Sequence, residues 1–149
     1  MKIVHLQNNQ NYKDKLYQYI LDVDSDFNPV LSSKVDLKEY TERIVSKANI
    51  FCALTDNDDI IGVVVVYAND FDKQYAYIPL VSVSSAHRRQ GIARKLMEYT
   101  LSFIKSLNGK ISVVGIHTYN RYAFDLYVKL GFKNISETDK MSYLEYTIE

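Results

Sequence analysis

The feature that most constrains the fold is a strand, a turn and a helix that follow one another over residues 77–107. Residues 77–83 form an apolar run typical of a β-strand. After a turn with a single glycine, apolar side chains recur three and four positions apart, which predicts an amphipathic helix. Residues 110–117 (KISVVGIH) predict the next strand. A strand, helix and strand in this order form a parallel unit with a right-handed crossover, so we expect an α/β protein.

The turn before this helix has the chemistry of an anion site. The first N–H groups of a helix have no partner within it, and the helix N-terminus carries a partial positive charge. Arg88, Arg89 and Arg94 add full charges beside Gly91. Phosphate fits such a site. The alternative is that Gly91 only eases the turn and that the arginines are solvated. Two better-known phosphate-binding motifs, G-x-G-x-x-G and G-x-x-x-x-G-K-S/T, are absent.

Pro79 gives a second indication of a binding site. Proline is tolerated in sheets mainly at edges or bulges, because it has no N–H to donate. A bulge within residues 77–83 would direct backbone N–H groups into a cleft. The loop at residues 22–33 and the helices beside it could wall an acceptor pocket, or could simply cover one face of the sheet.

The composition limits the partners and the cellular location. The 149 residues suffice for one core, so residues 1–149 are expected to form a single domain. Eighteen acidic residues balance 18 basic ones, which argues against nucleic acid or a membrane as the main partner. No apolar run reaches the roughly 20 residues of a membrane helix, and no signal peptide is recognisable, so we expect a cytoplasmic protein. The three histidines lack ligand spacing, so no metal is expected.

Two motifs resemble those of the GNAT superfamily of N-acetyltransferases. Residues 88–93 (RRQGIA) fit its R/Q-x-x-G-x-G/A signature, with alanine as the last residue. Residues 120–132 (NRYAFDLYVKLGF) look like its N-x-x-A-x-x-x-Y-x-x-x-G-F segment. The predicted order of elements is also similar. The resemblance implies a three-layer GNAT-like α/β fold, with a central, twisted, mixed sheet of six or seven strands flanked by about four helices.

The resemblance also implies a binding site for acetyl-CoA, as cosubstrate, in a cleft between the strands ending at Val83 and His117. Asn120 matches a position that contacts the pantetheine arm, and Tyr127 a position near the thioester sulfur. By position, the pantetheine arm would pair with the backbone of Val81, Ser82 and Val83. The pyrophosphate would be held by the amides of Arg89, Gln90, Gly91, Ile92, Ala93 and Arg94, with the charge of Arg88 beside them.

Charge considerations suggest roles for two of these residues. An oxyanion forms when an amine attacks the thioester, and a backbone N–H near Val81 could stabilise it. CoA leaves as a thiolate, and the neutral phenol of Tyr127 could donate a proton to it. With an ordinary tyrosine pKa of about 10, activity would fall near that pH. The alternative for Tyr127 is a packing role, because a helical aromatic beside leucine and alanine is usually part of a core.

The general base is not identified by the sequence. Several relatives, notably those that acetylate ribosomal-protein N-termini, carry a glutamate five residues before the asparagine, where this chain has Gly115. His117 is a candidate, acting directly or through water, although a histidine at a strand end is more often structural. Tyr77 and Asp125 are weaker candidates.

The leading hypothesis is an acetyl-CoA-dependent N-acetyltransferase acting on a primary amine of a small molecule, as a monomer or homodimer. The alternative enzymatic function is acetylation of a protein lysine or N-terminus. The third hypothesis is a CoA-binding sensor without catalysis, because the glutamate found in several relatives is replaced by Gly115.

Overall fold

The strands follow the β-branched and aromatic runs of the sequence. The computed structural model describes residues 1–149. The strands are β1 (Lys2–Gln7), β2 (Asn49–Leu54), β3 (Ile60–Asp70), β4 (Tyr75–Val83), β5 (Val113–Thr118), β6 (Lys133–Glu137) and β7 (Ser142–Thr147). All of β2 and most of β3 are buried, as their continuous apolar sequence predicts for strands covered on both faces.

Four helices connect and cover these strands. They are α1 (Lys13–Val23), α2 (Leu37–Lys47), α3 (Ile92–Lys105) and α4 (Arg121–Leu130). Asp36 caps the N-terminus of α2, because its carboxylate accepts a hydrogen bond of 3.0 Å from the N–H of Glu39. Gly131 ends α4 with a φ of +112°, the left-handed conformation in which glycine is favoured. The longest helix has 14 residues, and no helix is long and apolar enough to cross a bilayer.

The seven strands form one mixed sheet in the order β1-β2-β3-β4-β5-β7-β6. Every neighbouring pair is antiparallel except β4 and β5, which are parallel and are joined through α3. The structure therefore confirms the predicted fold class, with seven strands and four helices.

The strands β4 and β5 separate at their C-terminal ends. Their pairing runs from Tyr75↔Val113 to Ile78↔Ile116 and stops there. At the same place the register of β4 with β3 shifts, so that Ile78 and Pro79 together oppose Val66. This shift is the bulge predicted from Pro79. Beyond it, β4 remains paired with β3 alone, and a cleft opens between β4 and β5.

The two faces of the sheet are covered to different extents. Helices α3 and α4 pack on one face, in a core that includes residues of β2, β3, β4, β5 and β7. Helices α1 and α2 pack on the other face, in a core that draws on β1 to β4 and includes no residue of β5, β6 or β7. The second face of β5 and β7 is therefore left without a helical cover.

Candidate active site

A cavity with a volume of about 730 Å³ lies in the cleft between β4 and β5. This size is within the usual range for ligand sites. The predicted binding residues that line it are Val81, Ser82, Val83, Arg88, Arg89, Gly91, Ile92, Ala93, Arg94, Asn120 and Tyr127. Gln90 is the predicted residue that does not line the cavity. The fold thus brings together residues from two motifs that lie some 30 positions apart in the sequence.

The direction of the β4 backbone decides which of its groups face this cavity. The N–H of Ser84 donates to the carbonyl of Ile61 on β3 at 2.9 Å. In an antiparallel pair the hydrogen-bonding groups alternate in direction. The register therefore directs the backbone of Ser82 towards β3 and the backbones of Val81 and Val83 towards the cavity.

Two of these three residues are also held by side chains. The Val83 carbonyl accepts a hydrogen bond of 3.3 Å from Nε of Arg88. The Ser82 and Tyr19 hydroxyls lie 2.9 Å apart, which ties β4 to α1. Of the two β4 residues whose backbone faces the cleft, Val81 is nearer the bulge. Its N–H is therefore the β4 donor closest to the bulge.

The turn before α3 exposes backbone N–H groups beside the cavity. Arg89 and Gly91 have φ values of +64° and +74°, and no side chain caps the helix. The N–H of Lys95 donates to the Gly91 carbonyl at 3.1 Å. The N–H groups of residues 92–94 precede that bond, so they have no acceptor within the helix. A Cβ placed on Gly91 would meet nothing within 4 Å, so the space before these amides is open.

The arginines at this turn differ in their pairing. Arg88 bonds to the Asp26 carboxylate at 2.9 Å, and Arg94 lies 3.7 Å from Glu98. Arg89 forms no ion pair within the protein. Since both pairs are partly exposed, each contributes little to stability. Among these three arginines, Arg89 is therefore the one without a carboxylate partner, and it lines the cavity.

The loop between α1 and α2 crosses the mouth of the cleft. The Asp26 carbonyl accepts a hydrogen bond of 3.0 Å from the Tyr119 hydroxyl, which in turn accepts one of 3.0 Å from the N–H of Asn28. Since the Asp26 carboxylate holds Arg88, the loop is bonded to the ends of both β4 and β5. Residues of this loop line the cavity, including Phe27 and Pro29. Of the two predicted alternatives, the loop is therefore a wall of the pocket. Tyr119 was missed by the sequence analysis, because a tyrosine after a strand has no distinguishing pattern.

Tyr127 is buried but its hydroxyl reaches the cavity. The residue is 3% exposed, and its ring packs against Phe132 with centroids 5.8 Å apart. The hydroxyl has no hydrogen-bond partner in the protein. Every fully buried side-chain oxygen does have a partner, so the Tyr127 oxygen is accessible, and Tyr127 lines the cavity. Burial raises the pKa of Tyr127 above its ordinary value. The phenol is therefore neutral at physiological pH and can act as a proton donor.

Asn120 caps α4 with the oxygen of its side-chain amide. Its Oδ1 accepts hydrogen bonds from the N–H groups of Tyr122 (2.8 Å) and Ala123 (3.1 Å). No hydrogen bond of the protein uses the NH₂ group of this side chain, and Asn120 lines the cavity. Asn120 thus has a structural role at Oδ1 and two donors left for a ligand.

The candidate bases lie in different surroundings. Asp125 lies 3.3 Å from Arg121 on the outer side of α4 and does not line the cavity. His117 and Tyr77 both line it, and Nδ1 of His117 is 2.7 Å from the Tyr77 hydroxyl. The structure therefore brings together two of the three candidates.

The site combines a cleft between two separating parallel strands with a basic helix N-terminus whose first amides have no acceptor within the helix. The profile of the Acetyltransferase (GNAT) family matches residues 17–132. The chain belongs to this family.

Individual relatives show how far the similarity extends. GCN5-related N-acetyltransferase 6, chloroplastic, from Arabidopsis thaliana is 28% identical over 99 residues, which is 66% of this chain. The match spans only 30% of the length of that relative. A GNAT-family acetyltransferase from Staphylococcus aureus Mu50 superposes with a TM-score of 0.74 at 18% identity, over 99% of this chain and 100% of that one. The ribosomal-protein-S18-alanine N-acetyltransferase from Escherichia coli gives 0.76 at 14% identity, over 99% and 95%. At these identities the structural likeness concerns the fold.

Proposed function

We propose that this protein is an acetyl-CoA-dependent N-acetyltransferase that acts on a primary amine of a small molecule. The observation that carries the proposal is the separation of β4 from β5, next to a helix N-terminus whose first amides have no acceptor. An extended arm can lie in the first feature, and a pyrophosphate can bind at the second. Acetyl-CoA combines both groups and supplies the activated acetyl group.

The chain's own groups fit the two parts of this cosubstrate. The backbones of Val81 and Val83 offer the pantetheine arm the hydrogen bonds that β5 does not take. The amides of the 89–94 turn would surround the pyrophosphate, and Arg88, Arg89 and Arg94 place positive charge around it. In this assignment the NH₂ group of Asn120 donates to the arm from the opposite side of the cleft.

Two groups are assigned to the chemistry. The N–H of Val81 would stabilise negative charge on the carbonyl oxygen, because it is turned into a site partly shielded from water. The Tyr127 hydroxyl would protonate the leaving thiolate. Burial raises the pKa of Tyr127 and so keeps the phenol protonated, which is the form that a proton donor requires. The presence of this hydroxyl at the cavity favours an enzyme over a CoA-binding sensor.

The loop between α1 and α2 favours a small amine as the acceptor. The loop held by Asp26 and Tyr119 spans the mouth of the cleft, so a peptide would have to displace these bonds to enter. The protein-acetylating alternative is therefore ranked second.

The test measures binding and turnover separately. Calorimetry should detect acetyl-CoA binding by the wild-type protein, and release of CoA thiol should accelerate with small primary amines more than with peptides carrying a free N-terminus or a lysine. Acetyl-CoA binding without turnover of any acceptor would favour the hypothesis of a CoA-binding sensor. Preferential turnover of peptides would replace the small-molecule assignment, and lack of binding would end the proposal.

A further inference from the structure

On the face of the sheet where α1 and α2 pack, the part over β5 and β7 has no helical cover. There a hydrogen-bonded tyrosine pair lies against Gly115. The hydroxyls of Tyr75 and Tyr143 are 2.6 Å apart, and the Tyr143 hydroxyl donates to the Glu145 carboxylate at 2.8 Å. A Cβ on Gly115 would overlap both hydroxyls and would lie 2.8 Å from Cζ of Tyr75. The space that a side chain at position 115 needs is therefore filled by the two hydroxyls, which would have to move to admit a carboxylate there.

His117 lies two residues further along β5, on the same face and nearer the cleft. Its ring packs against the ring of Tyr143 with centroids 4.7 Å apart. Its Nδ1 is 2.7 Å from the hydroxyl of Tyr77, and no hydrogen bond of the protein uses its Nε2. One ring nitrogen is thus held in place, while the other is available beside the cavity.

We propose that His117 is the catalytic residue that accepts a proton from the acceptor amine, and that Tyr77 is a positioning residue that orients its ring. The inference rests on the proposed N-acetyltransferase function. In this assignment Nδ1–H donates to the Tyr77 oxygen, so that Nε2 carries the lone pair.

The protons balance in the following way. Nε2 of His117 takes one proton from the ammonium form of the acceptor, and the freed nitrogen lone pair forms the C–N bond as the C–S bond breaks. A second proton of that nitrogen reaches the sulfur by way of Tyr127. The third stays in the amide, and the proton on His117 passes to solvent, to which the exposed ring has direct access.

The side chains that face His117 are neutral phenols, so His117 is the group among them that can take up a proton. Tyr77 faces it from β4 and Tyr143 from β7, with Glu145 and Tyr75 behind Tyr143. Burial raises the pKa of Tyr77 and of Tyr143, so both phenols remain neutral. Across the cavity, the α1–α2 loop contributes Lys34 and the Asp26 carboxylate, which is paired with Arg88.

The test compares His117→Gln with His5→Gln under identical conditions. His5 bonds to Asn49 and stacks on Phe51 away from the cleft, so it controls for the loss of a histidine. With an alkylamine at neutral pH, His117→Gln should lower kcat by about 10²–10⁴-fold, the range of general acid–base groups, with unchanged acetyl-CoA affinity. His5→Gln should retain wild-type kcat.

The basicity of the acceptor then distinguishes proton removal from a packing role. An arylamine is already neutral at pH 7, so His117→Gln should lose little activity towards it, and its deficit with the alkylamine should shrink as the pH rises. Tyr77→Phe should show a smaller deficit with the same dependence on acceptor basicity.

Equal losses with both amines, or no loss with either, would overturn the role of His117 while leaving the acetyltransferase function intact. A Tyr77→Phe deficit that ignores acceptor basicity would remove the positioning role of Tyr77. A wild-type protein that neither binds acetyl-CoA nor turns over any amine would overturn both this inference and the proposed function.

Discussion

The two arms of β4 lie in one strand but have different neighbours. In the first arm, Tyr75–Ile78, β4 is bonded to β3 on one side and to β5 on the other. In the second arm, residues 79–83, it is bonded to β3 only, and its other edge borders the cavity. The bulge at Ile78 and Pro79 separates the two arms.

The comparison shows how the fold separates stability from function. In the paired arm, Ala76 and Ile78 are buried in the core beneath α3, so changes around it should affect folding. In the open arm the second backbone edge of β4 borders the cavity, so changes around the cavity should affect binding and turnover.

The largest expected effect is that of Tyr127→Phe, across the cavity from the open arm. The ring and its packing on Phe132 remain, and only the proton donor is lost. We expect kcat to fall by about 10²–10⁴-fold with little change in Tm or acetyl-CoA affinity. Tyr99→Phe on the exposed face of α3 is the matched control. Near-normal turnover would mean that solvent protonates the thiolate.

The pH dependence of the wild-type enzyme sharpens this prediction. An ordinary tyrosine would place the loss of activity at about pH 10. Burial raises the pKa of Tyr127, so we expect this loss above pH 10. The donor function requires the protonated phenol, so it should persist through pH 10 and be lost only at higher pH.

The second prediction concerns the turn at the end of the open arm. Gly91→Val should weaken acetyl-CoA binding by at least about tenfold, or about 1.4 kcal/mol, and more than Arg89→Ala. Two branches on Cβ would occupy the open space before the helix amides. Gly109→Val controls for backbone strain, since Gly109 has a similar φ of +81° and equally open surroundings outside the cavity. A larger loss for Arg89→Ala in calorimetry would indicate simple charge attraction.

The third prediction addresses the paired arm. Gly115→Ala should lower the free energy of unfolding by about 1–3 kcal/mol, because the added methyl group overlaps the Tyr75 and Tyr143 hydroxyls. Gly62→Ala on β3 is the control. Its Cβ would be 3.0 Å from the end of the Leu96 side chain and 3.1 Å from that of Ile92, without the overlap found at Gly115, so its loss should be smaller. Denaturant unfolding measures both. A stable Gly115→Ala protein would show that the tyrosine pair yields easily.

The smallest effect is expected at Asn120. Asn120→Ala removes the cap of α4 and should reduce stability by about 1 kcal/mol. Asn120→Asp keeps an oxygen for the N–H groups of Tyr122 and Ala123, and should retain stability while weakening acetyl-CoA binding. Thermal unfolding and calorimetry of the two variants separate the roles. Unchanged affinity in Asn120→Asp would limit Asn120 to capping.

Much of the fold and of the candidate site could be predicted from the sequence, because local chemistry determines these features. Side-chain periodicity predicted the strands and helices, and Pro79 predicted the bulge because it lacks an N–H wherever it is placed. Gly91 predicted the start of α3, and the structure gives it the left-handed φ of +74° that glycine tolerates. The two motifs also indicated the residues that the cavity brings together.

Other features were decided only by the tertiary structure, because they depend on residues far apart in the chain. The register of β4 against β3 directs Val81 and Val83 into the cavity and Ser82 away from it. The bond from Tyr119 to Asp26 joins residues 93 positions apart and makes the loop a wall. The Tyr75 and Tyr143 hydroxyls, 68 positions apart, fill the space at Gly115. No local pattern encodes such contacts, since each depends on how the strands are ordered in the folded sheet.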